Sequence, residues 1–128
     1  MRKAYLAIDW GGTNLKLGIF ENEDLIARYQ YSSPALSRPT DFFSFLREAI
    51  ADALKKNGFA RGDVQSAGIG IPGLLNITEG FIYYLPNIEG WENFAFKEAF
   101  EKELSISVVM DNDANVAAMS EFRRGAAV

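Results

Sequence analysis

The sequence contains neither cysteine nor histidine. Disulfides and thiolate metal sites are thereby excluded, and without imidazoles the usual zinc ligands are missing too, so any metal held here is a hard, oxygen-bound ion. Basic runs are equally scarce. No stretch of Lys and Arg exceeds a pair, and 13 basic against 17 acidic residues leave a formal charge of −4. An interspersed, mildly acidic surface argues against nucleic acid and other polyanions as partners. No uninterrupted apolar run approaches the ~20 residues that a bilayer-spanning helix needs, and Met1-Arg2-Lys3 leads directly into a strand pattern. The expectation is a cytoplasmic, soluble protein with no membrane segment. Its 128 residues, 48% of them hydrophobic, suffice for one core and one domain.

What the chain does have is a distinctive opening, Ile8-Asp9-Trp10-Gly11-Gly12-Thr13-Asn14 set between two apolar runs. Ala4 to Ile8 is apolar and β-prone, while Leu15, Leu17 and Ile19 alternate with Lys16 and Gly18, so the pattern predicts a hairpin reversing at Gly11-Gly12. Asp9 and Thr13 then lie at its tip beside bare backbone N–H groups. Such a tip suits a nucleotide's phosphates: glycines admit the backbone closely, N–H groups and the Thr13 hydroxyl donate hydrogen bonds, and Asp9 can hold Mg²⁺ directly or through water. It is not a Walker A loop, for the Gly-Lys-Ser/Thr ending and the following helix are missing. An ordinary Gly-Gly hairpin with a polar tip is the alternative.

Further along, Asp24 to Tyr31 reads as a third strand with Leu25, Ala27, Tyr29 and Tyr31 on one face, followed by a surface loop from Ser32 to Pro39. A helix capped by Thr40 or Asp41 carries the stripe Phe42, Phe45, Leu46, Ala49, Ile50, Ala53 and Leu54 and ends at Asn57-Gly58. Asp63 to Ile71 is the next strand, with Gly68 and Gly70 on the same face as Pro72. That bare face serves either close helix packing or a bulge, or else a small-ligand pocket shaped by Gly70-Ile71-Pro72-Gly73. Leu74 to Tyr84 reads as a hairpin turning at Thr78-Glu79-Gly80. After a loop with a buried Trp91, a helix from Asn93 to Leu104 turns Phe96, Ala99, Phe100 and Leu104 inward.

The last predicted strand, Ser105 to Met110, stops at Asp111-Asn112-Asp113-Ala114-Asn115, and a helix follows from Asn115 to Phe122. Asn and Asp here cap a helix and complement its dipole. Four polar residues within five positions exceed what one cap requires, and they stand where α/β sheets hold ligands, at the carboxyl end of a strand.

The first loop resembles that of the sugar kinase, actin and heat-shock ATPase superfamily, whose Asp-x-Gly-Gly-Thr-x-x-x-x-Gly pattern is matched at Asp9, Gly11, Gly12, Thr13 and Gly18. Together with Gly68-Ile69-Gly70-Ile71-Pro72-Gly73, Pro86-Asn87-Ile88-Glu89-Gly90-Trp91 and Asp111-Asn112-Asp113-Ala114-Asn115, it resembles the amino-terminal half of the ROK family of repressors, open reading frames and sugar kinases, nearest its glucokinase-like members. The resemblance implies an α/β, ribonuclease-H-like, actin-like ATPase domain over residues 1–128, with a mixed five-stranded sheet flanked by helices. It also implies ATP and Mg²⁺ as cofactors, a hexose as substrate and a homodimer as the full-length form. Carried over by position, Asp113 is the catalytic base and Asn112 binds sugar hydroxyls. Gly73 and Asn87 line the sugar pocket, Gly11, Gly12 and Thr13 meet the nucleotide phosphates, and Asp9 serves the Mg²⁺ and phosphate site. Trp10 departs from a position usually aliphatic or small, leaving the backbone argument intact.

Family members are roughly twice as long, and their second half, with the adenosine-binding loop, the Glu-x-Gly-His sugar contacts and a cysteine-rich zinc motif, has no counterpart here. The carboxyl-terminal domain is thus expected to be absent, as in a fragment or gene remnant, which alone would be inactive. Competing readings are a sugar-sensing regulator, disfavoured because the first strand begins almost at Met1 with no helix-turn-helix before it, and a non-sugar actin-like ATPase, which would not need Asn112-Asp113 beside a glycine-proline pocket.

Overall fold

The computed structural model describes residues 2–11, 14–32, 38–86 and 88–117. Strand β1 (Ala4–Trp10) runs through the centre of a five-stranded sheet, pairing antiparallel with β2 (Asn14–Glu21) and parallel with β4 (Val64–Gly70). Outside these lie β3 (Asp24–Ser32), antiparallel to β2, and β7 (Val108–Asp111), parallel to β4, which gives the order β3-β2-β1-β4-β7. The parallel members follow helical connections: α1 (Pro39–Lys56) precedes β4, and α2 (Phe96–Leu104) precedes β7. Between them a small two-stranded sheet pairs β5 (Leu74–Asn76) with β6 (Phe81–Tyr84).

Strand alternation divides the sheet into two unlike faces. Leu6, Ile8 and Trp10 of β1, Leu15, Leu17 and Ile19 of β2, Ala67 and Ile69 of β4, and Val108 and Met110 of β7 all enter one core with α1 and α2. Its densest part is aromatic. Trp10 lies 4.2 Å from Phe42 and 4.8 Å from Trp91, centroid to centroid, in tilted and edge-on arrangements that suit ring quadrupoles. The unusual Trp10 is therefore a core residue, 1% exposed. On the opposite face the registers align Gly18, Ala7, Gly68 and Val109 across four strands, a row with little side-chain bulk.

Several element ends differ from expectation for identifiable reasons. Helix α1 starts at Pro39, not Thr40 or Asp41, and Arg38 is its N-cap without a side-chain hydrogen bond; proline has its preset φ at the first helical position and lacks an N–H that would go unused. Phe43, left out of the predicted stripe, is 3% exposed and packs its ring on Trp91, Phe96 and Phe100, whereas Phe45 is only partly buried, against Tyr31. The second helix begins at Phe96 because Phe94 exchanges backbone hydrogen bonds with Ile82 and so extends the small sheet. A register shift beside Phe20 pairs it with Leu25 while Ile19 pairs with Ala27, which turns Leu25 to the face opposite Ala27, Tyr29 and Tyr31. The last strand begins at Val108, not Ser105, and the helical turn after it at 114, not 115; the expected continuation to Phe122 lies outside the described residues. No helix among the described residues is long and apolar enough to cross a membrane.

The edge strand β7 is shielded by α2. Glu101 Oε2 accepts from the Val108 N–H at 2.9 Å, and Lys97 Nζ donates to the Val108 carbonyl at 2.6 Å and to Glu101 at 3.2 Å. Both outward backbone groups of an edge residue are thus satisfied by side chains, which blunts pairing with another chain.

Candidate active site

The parallel strands β1, β4 and β7 end on the same side of the sheet, and their exits carry the motifs singled out from sequence. Asp9 stands near the end of β1, exposed, beside Gly70 of β4 and directly across from Lys16 of β2. The cross-strand register sets Asp9 and Lys16 on one face as neighbours, yet no ion pair links them among the described residues. Gly11 follows at the turn, its N–H donating to the Asn14 carbonyl at 2.8 Å. Gly12, Thr13 and Asn87 lie outside the described residues.

Past β7, Asp113 caps the helical turn 114–117: its Oδ1 accepts from the Asn115 N–H at 2.8 Å and the Val116 N–H at 3.4 Å. Its own N–H donates to Asp111 Oδ1 at 3.1 Å, which fixes the turn from the strand side. The capping function is therefore real, and it uses only Oδ1 of an exposed residue. Asn112 reaches across to the exit of β4, where its Nδ2 donates to the carbonyls of Ile71 at 3.0 Å and Gly73 at 2.9 Å.

Glycines decide how close these pieces come. A Cβ on Gly70 would sit 2.4 Å from the Ala114 nitrogen, so this position serves close packing of the helical turn on the sheet, one of its two sequence readings. At Gly73 a Cβ would sit 2.4 Å from the Tyr84 carbonyl oxygen and 2.6 Å from Leu85, so the loop after β4 is wedged between Asn112 and the end of β6.

The outcome is one open cleft of ≈ 610 Å³, whose walls include Asp9, Lys16, Asn112, Asp113 and Asn115. Asp9 and Asp113, 104 positions apart in sequence, line the same cavity. Asn115, one of the four polar residues after β7, shares it, and so does Lys16, which had not been singled out; the register opposite Asp9 was its signal. Among the described residues, no group of three or more carboxylates could hold a metal unaided. The donor set still fits Mg²⁺, which commonly takes one or two protein carboxylates and completes its octahedron with phosphate oxygens and water.

Residues 5–128 match the ROK family. The chain belongs to that family. A glucokinase of Halalkalibacterium halodurans is 32% identical over 127 residues, 95% of this chain and 37% of that protein. An N-acetyl-D-glucosamine kinase of Citrobacter koseri is 33% identical over 118 residues, 91% of this chain and 37% of its own length. Among solved structures, a ROK family glucokinase from Streptomyces griseus in complex with glucose and AMPPNP superposes with a TM-score of 0.72 at 27% identity, covering 98% of this chain and 38% of that one. The chain thus has the actin-like ATPase fold and spans little more than a third of the curated relatives it matches.

Proposed function

We propose that this ROK chain is the amino-terminal, sugar-binding and catalytic-base domain of a cytoplasmic, ATP-dependent hexose kinase, dimeric as a full-length protein. The observation that carries the reading is the single cleft lined by Asp9 at the exit of β1 and Asp113 at the exit of β7, with Asn112 joined to the Gly73 loop between them. Glucokinase and N-acetyl-D-glucosamine kinase relatives support it and favour transfer over the family's regulators.

Phosphoryl transfer passes through a loose transition state, so the protein mainly aligns reactants and offsets charge. In this reading Oδ2 of Asp113 orients a sugar hydroxyl and takes its proton as the new bond to the γ-phosphorus forms and the bond from that phosphorus to the bridging oxygen breaks, with ADP leaving, while the two N–H groups on Oδ1 hold the carboxylate in place. Gly73 and Asn87 line the sugar side. The Gly11-Gly12-Thr13 backbone and the Thr13 hydroxyl bind phosphate, and Lys16 adds positive charge beside Asp9. Mg²⁺, held by Asp9 directly or through water, would neutralise phosphate oxygens.

The test joins residues 1–128 to the carboxyl-terminal remainder of the Halalkalibacterium halodurans glucokinase and assays a hexose panel with ATP and Mg²⁺. Hexose phosphate formation supports the reading; sugar binding without transfer by a folded hybrid would favour the regulator, and ATP hydrolysis indifferent to sugar would favour a non-sugar ATPase.

A further inference from the structure

The Asn112 side chain is committed differently from a simple ligand contact. Two carbonyl oxygens, of Ile71 and Gly73, lie at 3.0 and 2.9 Å from one end of its amide. Carbonyls only accept, so this end is the NH₂ group, and both of its hydrogens are engaged. What remains for a ligand is Oδ1, an acceptor that receives no hydrogen bond among the described residues. The contact also joins two strand exits. Ile71 N–H donates to the Asp111 carbonyl at 2.9 Å, so backbone and side chain together tie the loop after β4 to the segment that carries Asp113. From the far side Tyr84 and Leu85 fill the space that a side chain at position 73 would need.

We propose that Asn112 is a positioning residue: its amide clamps the Ile71–Gly73 loop to the base-bearing turn, so that sugar pocket and base keep one spacing, and only its Oδ1 meets a ligand, selecting a hydroxyl that donates there. The proposal rests on the kinase reading for its sugar, but the clamp stands on geometry alone. Asn112→Asp separates the two roles, because it keeps an acceptor facing the cleft and removes both donors to the loop. Its carboxylate would face two carbonyl oxygens, which disfavours the charged form and raises its pKa, and protonation would restore one donor.

The experiment is NMR on the isotopically labelled 128-residue chain, comparing wild type, Asn112→Asp and Asn112→Ala, each with and without glucose. At neutral pH both variants should shift and broaden the Gly73 and Leu74 amide signals while the Trp10 and Trp91 indole signals stay in place. On acidification the Asn112→Asp loop signals should return toward wild type with a midpoint above ~3.9, and those of Asn112→Ala should not. Glucose-induced shifts at Gly73 and Asp113 should be lost in Asn112→Asp at neutral pH despite its retained acceptor. Loop signals unchanged in both variants would overturn the clamp, and glucose shifts surviving in Asn112→Asp with a released loop would overturn positioning in favour of direct contact. Glucose shifts missing from wild type would count against the sugar-site reading, while the loop signals still decide the clamp.

Discussion

Asp113 caps a helical turn through one oxygen and lines the cleft, so in the kinase reading one residue combines two tasks. Substitutions can separate them. Asn caps nearly as well as Asp, so Asp113→Asn should leave the stability of the 128-residue chain close to wild type in urea denaturation, while Asp113→Ala should cost about 1 kcal/mol. Equal losses in both would show that the carboxylate charge, not the cap, supports the turn. The position of a site residue was legible from sequence where a motif named it, as for Asp9 and Asp113, which line one cleft. Placement was not legible for Lys16, whose proximity to Asp9 depends on the β1–β2 register, nor were the inward hydrogen bonds of Asn112, which depend on a loop 39 and 41 positions away.

Among elements, the hairpins and the strand runs could be read from alternation and glycine placement because those signals are local. Positions decided by a neighbour could not. The start of α2 yields to the Phe94–Ile82 bridge, Leu25 changes face through a register shift, and Phe43 is buried only because Trp91, Phe96 and Phe100 arrive from distant segments. The mixed sheet was expected from family resemblance, not from periodicity. Two predictions belong here. Gly70→Ala drives a methyl group against the backbone of Ala114, so it should destabilise the chain by about 1–3 kcal/mol and displace the Asp113 turn, seen as shifted amide signals at 113–117. Wild-type stability and spectra would show that the turn yields freely. Glu101→Ala removes the acceptor for the Val108 N–H and the anion beside Lys97, at a cost of about 1 kcal/mol, and should increase self-association measured by sedimentation. A monomer with unchanged stability would remove edge protection as the function of this pair.

Over the whole molecule, Arg2 ties the chain's start to two distant elements. Its guanidinium pairs with Glu21 at 2.9 Å, donates to the Asn57 carbonyl at the end of α1 and lies 3.6 Å from the Phe59 ring centroid. Hydrogen bonding to Arg2 lowers the Glu21 pKa, so this contribution to stability is present above the ordinary carboxylate pKa and is lost as pH falls through the folded value. The pair lies half-buried at the surface, so the effect should be small and weakened by salt. Arg2→Met should flatten that part of the acid limb of Tm against pH; a parallel limb in both proteins would show that Glu21 titrates unlinked to folding. Catalysis asks for more than a stable domain. The chain spans 37% of its glucokinase relative, and in the kinase reading these 128 residues alone would hold sugar and nucleotide from one side, leaving the reacting atoms poorly aligned, which can forfeit ~7–11 kcal/mol of barrier reduction. The 128-residue protein alone is therefore expected to give no measurable sugar phosphate. The most direct measurement of the central claim is hexose phosphorylation by the hybrid with the Halalkalibacterium halodurans glucokinase remainder, compared with its Asp113→Asn variant. The account predicts transfer that falls by several orders of magnitude in the variant with sugar affinity nearly kept; a variant within about tenfold of the parent would contradict Asp113 as the base.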